Sequence, residues 1–275
     1  DLHGKYLKRI NHKGKGPGEY SEIKDIAYDE RNNSLAVLDI QKIILYSLDN
    51  DLFIKEIRHN ILPTEIAIDS YYYLYNPLGA AYFDKDKKFS LFVFDNDGKF
   101  KSSFFPNDNH FGNIFYCNKG FYNCSGFICF NNKLKNCFFV LKGGIVKKKI
   151  KISFYGNDGY ESFITTNIKS RMLYQKMTNS GFAYNLSDIF MSDDLLYFKY
   201  LRNDILYHVV FNINENKVIL NTDQQQILSN DLIKNDIPIF RFPEYYFNNE
   251  FIAILEHHYI KKIYDNNNIR INFSK

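Results

Sequence analysis

A repeated pattern of strand, turn and strand is the feature that most restricts how this chain can fold. Copies of the opening segment DLHGKYLKRI can be aligned at Gly4, Leu52, Gly98, Gly144, Asn216 and Asn268. The first three spacings are 48, 46 and 46 residues, and the last two are 72 and 52 residues. A β-sandwich also consists of many short strands, but its sequence needs no fixed period. Units arranged around an axis, in contrast, repeat in the sequence with a fixed period. The period therefore favours a propeller.

Each copy has an alternating apolar run on either side of a polar or glycine-containing turn, which is typical of a β-hairpin. The runs IILYSL, FSLFVFD, NCFFVL and ILYHVVFN precede these turns. A further strand pair lies upstream in the better copies, as in IKDIAYD and SLAVLD, so one unit holds four short strands in about 46 residues. This size and content are those of a propeller blade.

We therefore predict an all-β fold, a β-propeller of about six blades of four antiparallel strands, with one blade incomplete. Residues 1–275 form a single domain in this prediction. Its approximate units are 1–20 (partial), 21–59, 60–105, 106–153, 154–221 and 222–275. The 72-residue spacing holds a short helical insertion near residues 155–180, and its weakly helical middle, Ser162 to Met177, is expected to cap one face.

Charge and hydropathy narrow the classes of partner. The 35 basic and 31 acidic residues give a net charge of +4, which describes a mixed surface, so we expect no nucleic-acid partner. The basic run Lys147 to Lys149, followed by Lys151, alternates across a strand and is interpreted as a solvated strand. No apolar stretch approaches the roughly 18 residues of a membrane span, so we expect no transmembrane segment.

The glycine-rich stretch KGKGPGEY, which ends in Glu19 and Tyr20, has two interpretations. A phosphate-binding loop needs a Lys followed by Ser or Thr in register, and a dinucleotide fingerprint must open a helix. Neither condition is met here, because the sequence after Gly18 resembles a strand. Pro17 fixes φ and the neighbouring glycines allow positive φ, which suits a sharp passage into the inner strand of a blade. We therefore predict a junction between two blades.

This stretch also carries a family resemblance. Together with IKDIAYDERNNSLAVLD and KIILYSLD, the run GKGPGEY resembles an NHL-type repeat. It is similar to uncharacterised bacterial six-bladed propeller proteins that are typically secreted or lipid-anchored, as are YLYNPLGA, FAYNLSDIF and FPEYYFNNEFIAILE. The resemblance implies a periplasmic or cell-surface location, a lipid anchor upstream of residue 1 and a monomer. We expect residue 1 not to be the native start, and Gly4 to Ile10 to complete the last blade.

The motifs do not supply a complete catalytic set. There is no G-x-S-x-G sequence, and Asp29 and Asp39, which close two successive strands, are interpreted as turn caps. We predict a non-enzymatic ligand- or protein-binding scaffold of the cell envelope without cofactor or metal, whose partner is a protein or a carbohydrate. The alternatives are a subunit of a larger assembly, or a propeller hydrolase or lyase that acts on a sugar or lactone through carboxylates and histidines at the central channel.

Candidate ligand-binding residues follow from the two glycine- or proline-containing junctions. They are Glu19 and Tyr20 at the first junction, and Arg241 and Glu244 of FRFPEYY at the corresponding last junction. The sequence DNDG from Asp95 is predicted to be a hairpin turn, because its glycine and Pro106 do not fit a calcium loop. Adjacent histidines in EHHY point to opposite faces of a strand and cannot share one metal ion.

The four cysteines, Cys117, Cys124, Cys129 and Cys137, have no zinc-ribbon spacing. Two alternatives stay open for them. If the turn NNKLKN is centred on Lys133, Cys129 faces Cys137 and a disulfide is geometrically allowed. Otherwise the thiols are free and buried in an aromatic core, which the small apolar character of cysteine favours.

Overall fold

The described part of the chain contains four antiparallel sheets of four strands each. The structure is a computed structural model, and it describes residues 9–77, 89–106, 119–124, 126–131, 135–167, 172–223, 245–247 and 250–252. In every four-stranded sheet the spatial order of the strands is the order along the chain. Such meanders arise where short turns join consecutive strands. The prediction of four-stranded antiparallel units is confirmed.

Sheets 1 and 2 are formed by the first eight strands. Sheet 1 contains β1 (Asp25–Asp29), β2 (Ser34–Leu38), β3 (Lys42–Ser47) and β4 (Phe53–Arg58). Sheet 2 contains β5 (Glu65–Ile68), β6 (Tyr72–Tyr75), β7 (Phe89–Phe94) and β8 (Phe100–Pro106). The four residues from Asp95 to Gly98 form the predicted hairpin turn between β7 and β8, with the Gly98 N–H donating to the Asp95 carbonyl at 2.9 Å.

Sheets 3 and 4 flank the predicted insertion. Sheet 3 contains β9 (Phe121–Cys124), β10 (Phe127–Asn131), β11 (Cys137–Lys142) and β12 (Ile145–Lys151). The insertion contains α1 (Tyr160–Asn167) and α2 (Leu173–Thr178), as its sequence predicts. Sheet 4 contains β13 (Tyr184–Met191), β14 (Leu195–Arg202), β15 (Ile205–Asn212) and β16 (Lys217–Thr222). A separate pair consists of β17 (Tyr245–Phe247) and β18 (Glu250–Ile252).

Neighbouring sheets pack face to face through the apolar side chains of their middle strands. Ala36, Leu38, Ile43 and Leu45 of sheet 1 pack against Tyr72, Leu74, Phe92 and Phe94 of sheet 2. The opposite face of sheet 2 packs against sheet 3, and the opposite face of sheet 3 packs against sheet 4. Because side chains alternate between the faces of a strand, one sheet can serve two interfaces. This explains why the middle strands are apolar almost throughout.

The first strand of each sheet lies at one common side of the stack. β1 contacts β5, β5 contacts β9, and β9 contacts β13. Four sheets whose first strands meet in chain order, and whose faces pack in the same order, form a β-propeller-like arrangement. We refer to β1, β5, β9 and β13 as the inner strands. Among the described helices, none is long and apolar enough to cross a membrane.

Candidate functional site

The ends of the inner strands are held together by carboxylates that reach from one sheet to the next. Asp25 begins β1, and its Oδ2 accepts the N–H of Ile66 in β5 at 2.9 Å. Glu65 begins β5, and its Oε2 accepts the N–H groups of Gly120 and Phe121 at 2.7 and 3.2 Å. An inner strand that lies beside another sheet has backbone donors that need partners. These two contacts, which we call the inner clamps, satisfy them.

Burial raises the pKa of the carboxyl group in the first inner clamp. Burial raises the pKa of Asp25 above its ordinary value of 3.8, and it outweighs the hydrogen bonds from Ile66 and Ile26 and the nearby charge of Lys119. Withdrawal from water disfavours the charged form of a carboxyl group. Asp25 is therefore a titratable group at the inner side of the sheets, and its oxygen is committed to a neighbouring backbone.

The glycine-rich stretch forms a closed loop immediately before β1. The Tyr20 N–H donates to the His12 carbonyl, and the Gly14 N–H donates to the Tyr20 carbonyl, both at 2.9 Å. Glu19 turns back across this loop and accepts the Gly16 N–H through Oε2 at 2.8 Å. The carboxylate fits there because residue 14 is a glycine. A Cβ atom at this position would lie 2.0 Å from Glu19 Oε2. The loop thus encloses its own carboxylate.

Tyr20 and Gly18 join this loop to the body of sheet 1. Tyr20 is 9% exposed and packs with Val37, Ile44 and Tyr46, while its hydroxyl donates to Asn11 at 3.3 Å. The Tyr46 hydroxyl donates to the Gly18 carbonyl at 2.7 Å. Burial raises the pKa of Tyr46 to about 12, so this donor is retained at neutral pH. Glu19 is half-buried and Tyr20 is buried, and their proposed contact with a ligand stays a prediction.

Asp39 fixes the chain where the loop enters β1. This buried side chain accepts hydrogen bonds from the backbone N–H groups of Ser21, Glu22 and Ile40 at 2.9, 3.2 and 2.7 Å, and from the Ser21 hydroxyl. Burial raises its pKa, but the donors, with Ser21 first, lower the pKa of Asp39 below 3.8. Asp29 lies at the opposite end of β1, where it caps the following turn through Arg31 and Asn32. These two carboxylates do not converge.

Sheet 4 has a separate polar cluster on the face opposite sheet 3. Lys199 Nζ contacts Asp188 Oδ2 at 2.7 Å, and His208 lies directly across from Lys199 in the strand register. His208 Nδ1 is 2.9 Å from the Tyr197 hydroxyl. Burial, with a smaller contribution from Lys199, lowers the pKa of His208 to about 4. A neutral imidazole at neutral pH fits a buried structural hydrogen bond.

The insertion enters sheet 4 through a second set of polar contacts. Asn157 Oδ1 accepts the Ala183 N–H at 2.7 Å, and its Nδ2 donates to the Ala183 carbonyl at 2.8 Å. Arg202, at the end of β14, donates to the Tyr155 carbonyl at 2.8 Å. The helices add a small core of Tyr160, Ile164, Leu173 and Met177 against Tyr184. The described parts of the insertion, residues 152–167 and 172–183, are therefore joined to sheet 4 by hydrogen bonds and apolar contacts.

The cysteines confirm the free-thiol alternative and show that the disulfide alternative is wrong. Cys124, Cys129 and Cys137 are free and buried. In the register of sheet 3, Cys129 lies opposite Val140 and Cys137 lies opposite Lys151. The two side chains are therefore not paired across β10 and β11, because the strand register places Cys129 opposite Val140 and not opposite Cys137. Cys117 lies outside the described residues.

The remaining predicted residues lie partly inside and partly outside the described part of the chain. Arg241 and Glu244 lie outside the described residues, as do the histidines of EHHY. The described residues contain no group of three or more His, Cys, Asp or Glu side chains placed to hold a metal ion. Lys147, Lys148, Lys149 and Lys151 are exposed on β12, the outer strand of sheet 3, as predicted for a solvated strand.

The inner clamps and the contacts of Asn157 and Arg202 were missed in the sequence. In the sequence, Asp25 and Glu65 are acidic residues at the start of the first predicted strand in two consecutive units. Their backbone partners lie 41 and 55 residues away. The repeated acidic residue at the start of a strand is visible in the sequence. The backbone N–H donor in another sheet is not, because it depends on how the sheets pack.

Comparisons with known proteins agree with this arrangement. A family model described as "Domain of unknown function (DUF4934)" matches residues 1–274. A solved Bacteroides fragilis NCTC 9343 protein named "Putative exported protein" is 17% identical, with a TM-score of 0.60 over 79% of this chain and 62% of that one. This chain thus spans less than two thirds of that protein, and the likeness concerns the fold. No curated protein matches the sequence.

Two more distant structures have TM-scores below 0.5. BamB from Moraxella catarrhalis has a TM-score of 0.44 and 8% identity, over 74% of this chain and 53% of that chain. The WD40 domain of Neurospora crassa Pan2 has a TM-score of 0.39 and 12% identity, over 72% of this chain and 51% of that chain.

Proposed function

The chain belongs to the DUF4934 family, and we propose that it is a non-enzymatic binding or scaffold propeller of the bacterial cell envelope. About six blades make up the ring in this proposal. The protein acts at the periplasmic side or the cell surface, in line with the name of the Bacteroides fragilis protein that shares its fold. A ligand or protein partner binds on the face that carries the junctions between blades.

The observation that carries the proposal is the use of the inner-strand carboxylates. Asp25 and Glu65 begin two of the inner strands, and both accept backbone N–H groups of the next sheet. A carboxylate that satisfies a buried donor stabilises the packing of two strands. Such an arrangement supports a rigid scaffold that carries the junction loops.

The junctions supply the proposed ligand contacts. Glu19 is half-buried at the first junction, and its second carboxylate oxygen is available to a ligand in addition to the Gly16 contact. Tyr20 supports this loop from the core side. We propose that Arg241 and Glu244 act at the last junction, so that the four residues belong to one face.

The experiment compares turnover with stability in matched variants. The purified protein is incubated with panels of glycans and lactones, and Glu65→Ala is compared with Glu65→Gln. A scaffold gives no turnover, and Glu65→Ala lowers the free energy of unfolding by about 2 kcal/mol, because Gly120 and Phe121 lose their acceptor. Glu65→Gln retains an acceptor oxygen and is expected to lose less.

Saturable turnover that Glu65→Gln abolishes while the fold is retained would instead support a hydrolase or lyase. The ligand contacts are tested separately with Arg241→Ala. This variant should weaken binding of the partner or carbohydrate and leave the free energy of unfolding unchanged, whereas unfolding would show that Arg241 is structural.

A further inference from the structure

Positive charge is concentrated in and around sheet 3. From residue 109 to residue 157 the sequence contains eight lysines and no Arg, Asp or Glu, although the whole chain has 35 basic and 31 acidic residues. The rest of the chain therefore has more acidic than basic residues. From this distribution we infer that β12, the outer strand of sheet 3, is the centre of a binding surface for an anionic polysaccharide. The inference specifies the carbohydrate partner and rests on the proposed function, which places the protein in the cell envelope.

The lysines form a strip along an edge strand, which pairs with β11 on one side only. The strip consists of four exposed residues, Lys147, Lys148, Lys149 and Lys151. Lys149 lies opposite Phe139, which packs toward sheet 2, whereas Lys148 lies opposite Val140, which packs toward sheet 4. Successive side chains of a strand point to opposite faces. Cations therefore line both sides of this edge, where a flexible polymer can contact both and a flat bilayer cannot.

Neighbouring carboxylates compensate only part of this charge. Glu161 is 3.9 Å from Lys151, which is the only ion pair of the four β12 lysines among the described residues. Asp69 lies at the turn that precedes β12, where it accepts the Gly143 N–H at 2.7 Å. Two further exposed lysines of sheet 3 extend the strip, Lys135 and Lys142. Even with Asp69, Asp158 and Glu161 counted against the six lysines, three positive charges remain.

The buried thiol of Cys137 lies in the field of these lysines. Burial raises the pKa of Cys137, whereas Lys149, Lys135 and Lys151 lower it and Glu161 raises it. Three cations and one carboxylate therefore act on the same group, which agrees with the surplus of positive charge at this edge.

The outer strands of the other four-stranded sheets lack such a surplus. In β4, Glu56 pairs with Arg58 at 2.8 Å, and in β8, Lys101 pairs with Asp95 at 3.2 Å. β16 has one lysine, Lys217. Lysines on an edge strand also prevent unwanted pairing with other strands. Because β8 and β16 each have one lysine, the four on β12 exceed what edge protection uses elsewhere in this protein.

The lack of exposed apolar surface narrows the class of polyanion. Ile145, which is 48% exposed, is the only strongly exposed large apolar side chain in the described part of sheet 3. Protein interfaces are enriched in aromatic residues and Arg and depleted in Lys, and membrane binding gains from inserted apolar side chains. Single-stranded nucleic acids stack on exposed aromatic rings, whereas the described aromatic rings of sheet 3 are buried or half-buried. A hydrated polysaccharide with carboxylate groups fits this surface best.

The experiment measures binding of the purified full chain to labelled polygalacturonate by fluorescence anisotropy, with neutral dextran as the comparison polymer. The test variant combines Lys147→Gln, Lys148→Gln, Lys149→Gln and Lys151→Gln. A matched control variant removes four exposed lysines elsewhere, through Lys24→Gln, Lys99→Gln, Lys101→Gln and Lys217→Gln. A third variant replaces the same four β12 lysines by arginine and so retains their charge.

We expect the protein to bind polygalacturonate and not dextran. The affinity should fall at least about tenfold between about 50 and about 200 mM salt, because binding releases counterions from the polymer. The test variant should lose at least about tenfold in affinity, whereas the control and arginine variants should stay within about threefold of the unmodified protein. If the test variant does not fold, Lys147→Gln combined with Lys149→Gln leaves two lysines on the edge and should still lose about threefold.

Three results would overturn the inference and leave the proposed function intact. They are no binding of polygalacturonate, an equal loss of affinity in the test and control variants, and binding of phosphatidylglycerol vesicles, polyglutamate or polyuridylate that is at least as tight as that of polygalacturonate. Saturable turnover of a glycan or lactone would overturn the proposed function itself, and it is measured separately from binding at β12.

Discussion

The segments that lead into sheets 1 and 4, which we call the first and fourth junctions, are each held by a charged side chain. The charge is negative at the first junction and positive at the fourth. In both, the incoming segment is held at the corner where the second strand of the sheet ends. At the first junction, Asp39 accepts N–H groups from Ser21 and Glu22. At the fourth, Arg202 donates to the carbonyl of Tyr155. An incoming N–H group is therefore matched by an acidic side chain at this corner, and an incoming carbonyl group is matched by a basic one.

The two junctions also differ in what they leave exposed. The first is a short loop that buries Tyr20 and encloses Glu19. The fourth carries two helices with their own small core and leaves Tyr155 in solvent. The comparison indicates that the first junction mainly stabilises sheet 1, whereas the fourth adds helices with a core of their own.

The largest effect is expected for Asp39→Ala. The substitution leaves three backbone donors near β1 without their carboxylate, and we expect a loss of about 3 kcal/mol in the free energy of unfolding. Urea denaturation followed by circular dichroism measures this. Asp158→Ala at the exposed fourth junction is the matched control and should change stability by less than about 0.5 kcal/mol. Equal losses in the two variants would contradict the comparison.

A smaller and more local effect is expected for Asn157→Ala. Ala183 loses the acceptor of its buried N–H, which costs about 2 kcal/mol. Because the insertion has its own core, hydrogen exchange should accelerate mainly at the described residues of 155–183, while sheet 1 keeps its protection. Asn157→Asp retains the acceptor and should show an intermediate effect. Uniform acceleration in all four sheets would show that the fourth junction is as central as the first.

Two glycines with similar backbone angles allow a matched test. Gly18 has φ of +70° and an added Cβ would lie 2.8 Å from the Phe53 ring, whereas Gly156 has φ of +76° and nothing within 4 Å. Gly156→Ala should cost about 1 kcal/mol from the left-handed backbone alone. Gly18→Ala should cost about 1 kcal/mol more, because Phe53 must move. Thermal unfolding of the two variants checks the difference, and equal costs would rule out a tightly packed first junction.

The smallest effect is the pH dependence. The folded pKa of Asp39 is lowered, so its contribution to stability is present above its ordinary value of 3.8 and is lost as pH falls through the folded value. Asp25 has a raised pKa, so its contribution is present below 3.8 and is lost as pH rises through the folded value. The free energy of unfolding of Asp39→Asn and of Asp25→Asn is measured by denaturation between pH 3 and 7, a range set by the ordinary carboxyl pKa near 4. Each substitution should remove one contribution to the slope of this free energy against pH, and the two contributions have opposite signs. Slopes of the same sign would contradict this assignment.

Much of the architecture was accessible from local patterns. Alternating apolar runs and short polar turns predicted the hairpins whose turns contain Asp95 and Gly144. These patterns could be recognised because they depend on residues close together in the chain. The placement of KGKGPGEY in a loop ahead of β1 followed from Pro17 and the glycines in the same way. The disulfide alternative was wrong because the register of β10 and β11 depends on a connection whose length cannot be read from cysteine spacing. Tyr155 lay within the predicted insertion, but its exposure could not be foreseen.

The sequence by itself determined the repeated four-stranded units, the interruption by a helical insertion and the sharp entry into β1. These features depend on contacts within about 50 residues and on the local preferences of glycine, proline and alternating apolar side chains. Only the tertiary structure decided which carboxylates serve as inner clamps, that Asp39 and Arg202 occupy matching corners, and that Glu19 faces its own loop. Each of these depends on a backbone N–H or carbonyl group whose position is set by packing, and side-chain identity alone does not encode it.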